Sequence, residues 1–324
     1  MIAPAPDRTL SLRVSVTDRC QLRCTYCMPE EGVDPCAHAD ILRYEEIATL
    51  VAMLKDEFSL GKVRITGGDP LVRPNIETLV GMLSRMDIPE LALTTNGQAL
   101  ADKVDPLRDA GLHRVNISLD SLDPDTFRTL TRGGDVTRTL AGIRAAVRGG
   151  LTPVKLNMVV MRGVNDHEVQ AMLSFALNEG CELRFLELMP AGLDGDEFEQ
   201  RYISCSDICK ALKTEFKVEP LPLRSGETSQ MHEVESPAKV RGQFGIITPT
   251  SHPFCTGCRR LRLTADGHLI GCLARQDRIF IRPFLDTSTD AKRQELFRAV
   301  KEAMGHKRSD AVFETQPSMA RIGG

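Results

Sequence analysis

Ten cysteines are the residues of this 324-residue chain best suited to chemistry, and six of them fall into two tight groups. Cys20, Cys24 and Cys27 follow a C-x3-C-x2-C spacing with Tyr26 before the last thiol. Three thiolates within eight residues can converge on one metal centre. A [4Fe–4S] cube normally takes four thiolates, so three leave one iron open to a ligand that reacts. Cys255, Cys258 and Cys272 form the second group, C-x2-C-x13-C. Residues 261–270 lie between its pair and its third thiol, and they alternate around Asp266-Gly267, a strong hairpin signal. That hairpin folds Cys272 back beside the pair. The competing readings are a zinc knuckle, an incomplete zinc ribbon completed by Cys205 or Cys209, and buried thiols without a metal. Cys36, Cys181, Cys205 and Cys209 read as ordinary part-buried thiols.

The elements that must position these groups are βα units. Short apolar or β-branched runs occur at 12–16, 62–66, 91–95, 114–119, 154–161 and 183–188. Their near-continuous hydrophobicity fits buried parallel strands. Amphipathic stretches lie between them. Ile47, Leu50, Val51 and Leu54 share one helical face, as do Val136, Leu140, Ile143 and Val147. Gly149-Gly150 stops the second of these helices, and Asn165 or Asp166 is the expected N-cap of a helix over 167–179. Six such units in about 200 residues imply a parallel sheet with right-handed crossovers, as an open doubly wound sheet or as a complete or partial barrel. The first cysteine group follows the first strand directly, at the end where such folds build their sites. The alternation breaks after about residue 215, so two units are expected: 1–215 and a smaller module over 216–324. Residues 318–324 read as a tail without a core of its own.

Composition narrows the partners. Lys and Arg number 41 against 44 Asp and Glu, a net charge of −3 that excludes a broad nucleic-acid surface. Hydrophobic content of 42% excludes disorder as the main state. No apolar run approaches the ~20 residues of a membrane span, so no membrane association is expected. Residues 1–13 lack a signal layout, which places the protein in the cytoplasm, and a chain this long has no need of disulfide staples.

The C-x3-C-x2-C group after the first strand, together with TGGDP at 66–70 after the second, resembles the radical S-adenosylmethionine (SAM) superfamily. The resemblance implies an α/β fold, a partial (β/α)6 TIM-like barrel, here with a smaller C-terminal α+β iron–sulfur module. It narrows further on four segments: LRVSVTDRC at 12–20, KVRITGGDP at 62–70, FCTGCRRLRLTADG at 254–267 with GCL at 271–273, and IGG at 322–324. These are similar to the GTP 3′,8-cyclase family, the radical SAM lyases that open molybdenum cofactor biosynthesis by converting GTP to 3′,8-cyclo-7,8-dihydro-GTP.

That resemblance implies two [4Fe–4S] clusters, one on Cys20, Cys24 and Cys27 and one on Cys255, Cys258 and Cys272. It implies SAM contacts at Tyr26, Gly68, Asp69, Thr95, Asn96, Ser118 and Met189. It implies GTP contacts at Arg13, Lys62, Arg64, Lys155, Arg184, Arg260 and Arg262, with Arg260 and Arg262 also catalytic. Several Arg and Lys suit a triphosphate, and placing them on strands is costly without such an anion. The same resemblance brings Gly323-Gly324 to the site near Arg260. It also implies a reduced flavodoxin- or ferredoxin-type electron donor and a homodimer. The chain departs from the family pattern at Asp69, where Glu is usual, at Thr256-Gly257 and Arg259, and after Cys272. The alternatives are therefore a related radical SAM enzyme acting on another nucleotide or on a peptide, and a non-enzymatic zinc module.

Overall fold

Apolar and polar residues alternate along the strands, and the fold puts the two sets on opposite faces of one sheet. In this computed structural model the described residues are 9–190, 193, 195–222, 228–253, 255, 258–286, 289–307, 313 and 319–323. The first six strands are β1 (Leu10–Ser15), β2 (Leu60–Thr66), β3 (Glu90–Thr95), β4 (Arg114–Ser118), β5 (Lys155–Val160) and β6 (Glu182–Glu187). They pair in sequence order, all parallel. The helices among them are α1 (Tyr44–Phe58), α2 (Ile76–Ser84), α3 (Val104–Asp109), α4 (Pro124–Thr131), α5 (Val136–Arg148) and α6 (Val169–Asn178). Helices α7 (Gly195–Arg201) and α8 (Cys205–Lys213) follow.

Leu12, Val14, Val63, Ile65, Leu91, Leu93, Leu156 and Met158 are fully buried in one core with Ile47, Leu50, Leu79, Ile143 and Leu173 of the helices. The intervening strand residues are Arg13, Arg64, Thr94, Asn116, Asn157 and Arg184, so the inner face is polar. The expected near-continuous hydrophobicity is thus an alternation, because only the outer face meets helices. An inner face of this kind is a lining for a polar ligand rather than the packed interior of a closed barrel.

The last third of the chain supplies both flanks. Strands β7 (Lys217–Pro220), β8 (Gln230–Glu235) and β9 (Arg241–Ile247) form a meander whose β9 runs parallel to β6. Strand β10 (Arg260–Leu263) runs parallel to β1 and turns through Asp266-Gly267 into antiparallel β11 (His268–Ile270), which pairs β12 (Ile279–Phe280). Gly267 has φ +87, a value that favours glycine, so the expected hairpin turn is present. Helix α9 (Asp290–Gly305) covers β10 and β11. The full order is β12-β11-β10-β1-β2-β3-β4-β5-β6-β9-β8-β7. Among the described residues no helix is long and apolar enough to cross a membrane.

Two local expectations are corrected. Asn165 makes no capping bond to its helix. It is fully buried, donating to the carbonyls of Asp120 and Val159 and accepting from the Met161 amide, so it ties β4 to β5. The tail does have a core: Met319 and Ile322 are buried at 7% and 2% exposure against Ile270, Cys27, Met189 and Leu273. Ser318 and Gly324 lie outside the described residues.

Candidate active site

The C-terminal ends of the parallel strands surround a cavity of about 330 Å³ that all six clustered cysteines line. That volume lies in the usual range for small-molecule sites. Cys20, Cys24 and Cys27 sit on one wall in the loop after β1. The amides of Cys27 and Met28 both bond to the Cys24 carbonyl, closing a tight turn. Arg23 and Thr25 amides bond to Thr131 and Leu130 at the end of α4, which fixes the loop. Tyr26 Oη donates to Asp120 at 2.6 Å, and the same carboxylate accepts from the Val159 amide.

Burial pushes the Cys20 thiol up to about 11, with Asp69 adding to it. Burial also pushes Cys27 up to about 12 and Cys24 well above its ordinary value; Cys20 adds to both, and Cys27 adds to Cys24. Three part-buried thiols crowded together suit a cationic centre, which would favour all three as thiolates. The residues present therefore fit an iron–sulfur cluster.

The second group occupies the opposite chain region of the same cavity. The Cys258 amide bonds to the Cys255 carbonyl at 3.0 Å, and the hairpin brings Cys272 back, as its spacing implied. Burial pushes Cys258 up, but the Arg260 guanidinium and the Lys307 ammonium bring the thiol below its ordinary value. Arg260 Nε donates to Cys258 Sγ at 3.4 Å. The first triplet thus has Asp69 and Asp120 for neighbours, and the second has cations. Phe254, Thr256 and Gly257 lie outside the described residues.

A row of arginines lines the same cavity. Strand register places Arg13 opposite Arg262 on one side and Arg64 on the other, with Arg260 one step below beside Ser11. Like charges on adjacent strands are unfavourable, and burying them is more so. Burial lowers Arg13 well below its ordinary value, and Arg262, Arg260 and Arg184 lower it further. Arg262 falls to about 9 by burial and the same crowding. The buried Nε of Arg64 has no hydrogen-bond partner among the described residues. A polyanion would relieve all of these strains together.

Lys62, Lys155 and Arg184 stand at or near the strand starts and are not among the residues lining the cavity. Lys62 bonds to Glu90 at 2.7 Å, and Arg114 Nε reaches the same carboxylate oxygen at 2.7 Å. Lys155 and Arg184 share Glu182 at 3.0 and 2.8 Å. One carboxylate serving two cations is over-compensated, so Glu90 is held at about 2 despite its burial, by Arg114 and Lys62. Each lysine is under-compensated. Burial and nearby arginines lower Lys62 to about 7 and Lys155 to about 8.

On the cysteine side, Tyr26, Gly68, Thr95, Asn96, Ser118 and Met189 all line the cavity. Asp69 does not. It is 1% exposed, and its oxygens accept from the Leu71 amide at 2.9 Å, Thr95 Oγ1 at 2.7 Å and the Asn96 amide at 2.7 Å. It fastens the loop after β2 to the loop after β3. Gly68 passes so close to residues 18–19 that a Cβ would lie 2.3 Å from the Arg19 carbonyl. Gly323 reaches the mouth of the barrel, where Arg262 Nη1 donates to its carbonyl at 3.2 Å and to that of Ile322 at 3.4 Å. Arg262 is two residues from Arg260 on the same face of β10.

Sequence reasoning missed Glu90, Glu182, Arg114, Lys307 and Glu187. The first three share the period-2 parity of Lys62 and Arg64 or of Lys155 and Arg184, a signal present in the sequence. Glu187 accepts from Cys205 N, Thr250 N, Ser251 N, Ser251 Oγ and Tyr202 Oη, and so anchors the segment that leads to Cys255. Cys205 lies on α8 and is buried beside that anchor, away from the cavity wall.

Comparison with known proteins agrees with this geometry. Residues 14–176 match the Radical SAM superfamily model, and residues 181–313 match the Molybdenum Cofactor Synthesis C model. The chain is 39% identical over 328 residues to a GTP 3′,8-cyclase of Listeria monocytogenes serotype 4b, covering 97% of this chain and 96% of the relative. It is 42% identical to that of Moorella thermoacetica over 318 residues, covering 97% of both. Among solved structures, Streptococcus suis SuiB bound to S-adenosylmethionine superposes with TM-score 0.63 at 15% identity, over 90% of this chain and 68% of that one. That likeness bears on the fold, a partial barrel of the radical SAM type. With the barrel, both family models and near full-length relatives in agreement, the chain belongs to the GTP 3′,8-cyclase family of the radical SAM superfamily.

Proposed function

We propose that this enzyme is a radical SAM lyase that converts GTP to 3′,8-cyclo-7,8-dihydro-GTP, the first step of molybdenum cofactor biosynthesis. The observation that carries the reading is one cavity lined by both cysteine triplets and by a row of arginines on adjacent strands. Cys20, Cys24 and Cys27 would hold one [4Fe–4S] cluster, and Cys255, Cys258 and Cys272 the other. When bound, the first cluster and SAM supply a 5′-deoxyadenosyl radical by one-electron reductive cleavage.

The chain's own residues bind and orient. Tyr26, Gly68, Thr95, Asn96, Ser118 and Met189 line the SAM side, while Asp69 acts through Thr95 and Asn96 by fixing their loop. Arg13, Arg64, Arg260 and Arg262 meet the GTP phosphates and the ribose side of the substrate. Lys62, Lys155 and Arg184 extend the same charge beneath them. Arg260 and Arg262 also flank the second cluster and are assigned to the steps after radical formation. Orientation dominates such chemistry, since a carbon radical reacts with what lies nearest. The C3′ hydrogen of the ribose must face one triplet while the guanine faces the other. Met319, packed with Ile322 and Ile270, adds an apolar side chain to the cavity lining.

The physiological setting follows the same reading. The electron comes from a reduced flavodoxin- or ferredoxin-type donor in the cytoplasm, the enzyme works as a homodimer, and residues 1–215 and 216–324 are its two units. The test is anaerobic incubation of the reconstituted enzyme with SAM, dithionite and a panel of nucleotides. The expected result is 5′-deoxyadenosine formed together with a cyclised product from GTP. Formation of 5′-deoxyadenosine with every nucleotide left intact would overturn the substrate assignment. Alanine at Cys255, Cys258 and Cys272 should abolish the product while leaving SAM cleavage measurable.

A further inference from the structure

We propose that Lys307 is a positioning residue for the second cysteine triplet, clamping its two chain segments together and supplying, beside Arg260, a cation that raises the potential of the cluster held there. The inference rests on the assignment of that triplet as a cluster site. Lys307 follows α9 and lines the cavity with Cys255, Cys258 and Cys272. Its Nζ donates to the Arg260 and Gly271 carbonyls at 2.5 Å each. Arg260 comes two residues after Cys258, and Gly271 immediately precedes Cys272. One ammonium therefore joins the segment carrying the cysteine pair to the segment carrying the third thiol.

The fold holds Lys307 at that spot. A Cβ on Gly271 would lie 1.8 Å from the Ala303 carbonyl, so the end of α9 is pressed directly on the residue before Cys272. His306 and Lys307, which follow α9, lie against the hairpin at the same residue. Both hydrogen-bond partners of the ammonium are neutral carbonyls, and among the described residues no carboxylate pairs with it. No described side chain cancels its charge, and Lys307 lines the cavity together with Cys258 and Cys272. A fixed positive charge beside a cluster favours the more negative, reduced state. The charge and the two hydrogen bonds are separable in variants.

The experiment uses the full chain with Cys20, Cys24 and Cys27 all changed to Ala, so that iron can bind only at the second triplet. After anaerobic reconstitution, iron and sulfide are counted and the midpoint potential is read from an EPR-monitored redox titration. Lys307→Gln keeps a donor without charge. It should retain iron and shift the potential to more negative values. Lys307→Met removes both and should add faster loss of iron to a chelator. Lys307→Arg, with charge and donors restored, should return the potential close to that of the parent. Equal potentials in the parent, Gln and Met proteins would overturn the proposal while leaving the cluster assignment intact. A parent that binds no iron would overturn the cluster assignment and the proposal together.

Discussion

Arg64 carries an instability that only a ligand removes. Its neighbour across the strand register is Arg13, and its buried Nε lacks a partner among the described residues. Arg64→Met should leave the ligand-free protein as stable or more stable in a thermal melt. GTP affinity should fall by about 10- to 100-fold in equilibrium binding, since a charge-assisted hydrogen bond is worth about 1.5–3 kcal/mol. A variant with reduced ligand-free melting temperature and unchanged affinity would contradict this. The lysines give a second signature. Lys62 is held at about 7 and Lys155 at about 8, burial being the main cause, so both lose charge as pH rises past neutrality. A bound phosphate favours the ammonium, so binding at pH above these values takes up protons. GTP affinity should therefore fall from about pH 7 to 9, by up to roughly tenfold per pH unit for each coupled lysine. Calorimetry in buffers of different ionisation enthalpy reads that uptake. Lys62→Arg, which stays charged, should flatten part of the slope. The cysteine groups were legible in the sequence because thiols at short spacing have few other uses. The roles of Asp69 and Lys307 were not, because they depend on which backbone groups the fold brings within reach.

At the scale of elements, strand positions were legible to within a residue or two because β-branched and apolar runs stop sharply at glycines and caps. What periodicity could not show was the pairing of β10 with β1 and of β9 with β6, since either strand reads locally as part of a free-standing hairpin or meander. The polar inner face was missed, because the runs read as near-continuous although Arg13, Arg64 and Arg184 each interrupt one. Gly271 shows how closely the elements are fitted, because the end of α9 occupies the space where its side chain would be. Gly271→Ala should destabilise the protein by about 1–3 kcal/mol in denaturant unfolding, the cost of forcing extra volume into a packed site. Iron content should fall by roughly half, since the displaced segment carries Cys272 while the loop after β1 is untouched. Full retention of iron would show that the second triplet tolerates the shift.

For the whole molecule, the tail closes the site from the far end of the chain. Met319 and Ile322 pack with Ile270 and Cys27, and two carbonyls accept from Arg262. Deleting residues 319–324 should lower the melting temperature, since each buried apolar side chain is worth about 1.5–3 kcal/mol. SAM cleavage without GTP should rise relative to product, because an open mouth admits water and leaves Arg262 unplaced; the ratio of 5′-deoxyadenosine to cyclised product measures it. The flanking strands have a consequence for biosynthesis. The first six strands leave the ribosome with β1 and β6 as bare edges, and their partners are encoded only after residue 240. A nascent chain therefore exposes two unpaired parallel edges until its last quarter is made. Edges of that kind pair with other chains. The enzyme's yield in the cell should thus depend on how quickly translation finishes and on chaperone cover of the unfinished barrel.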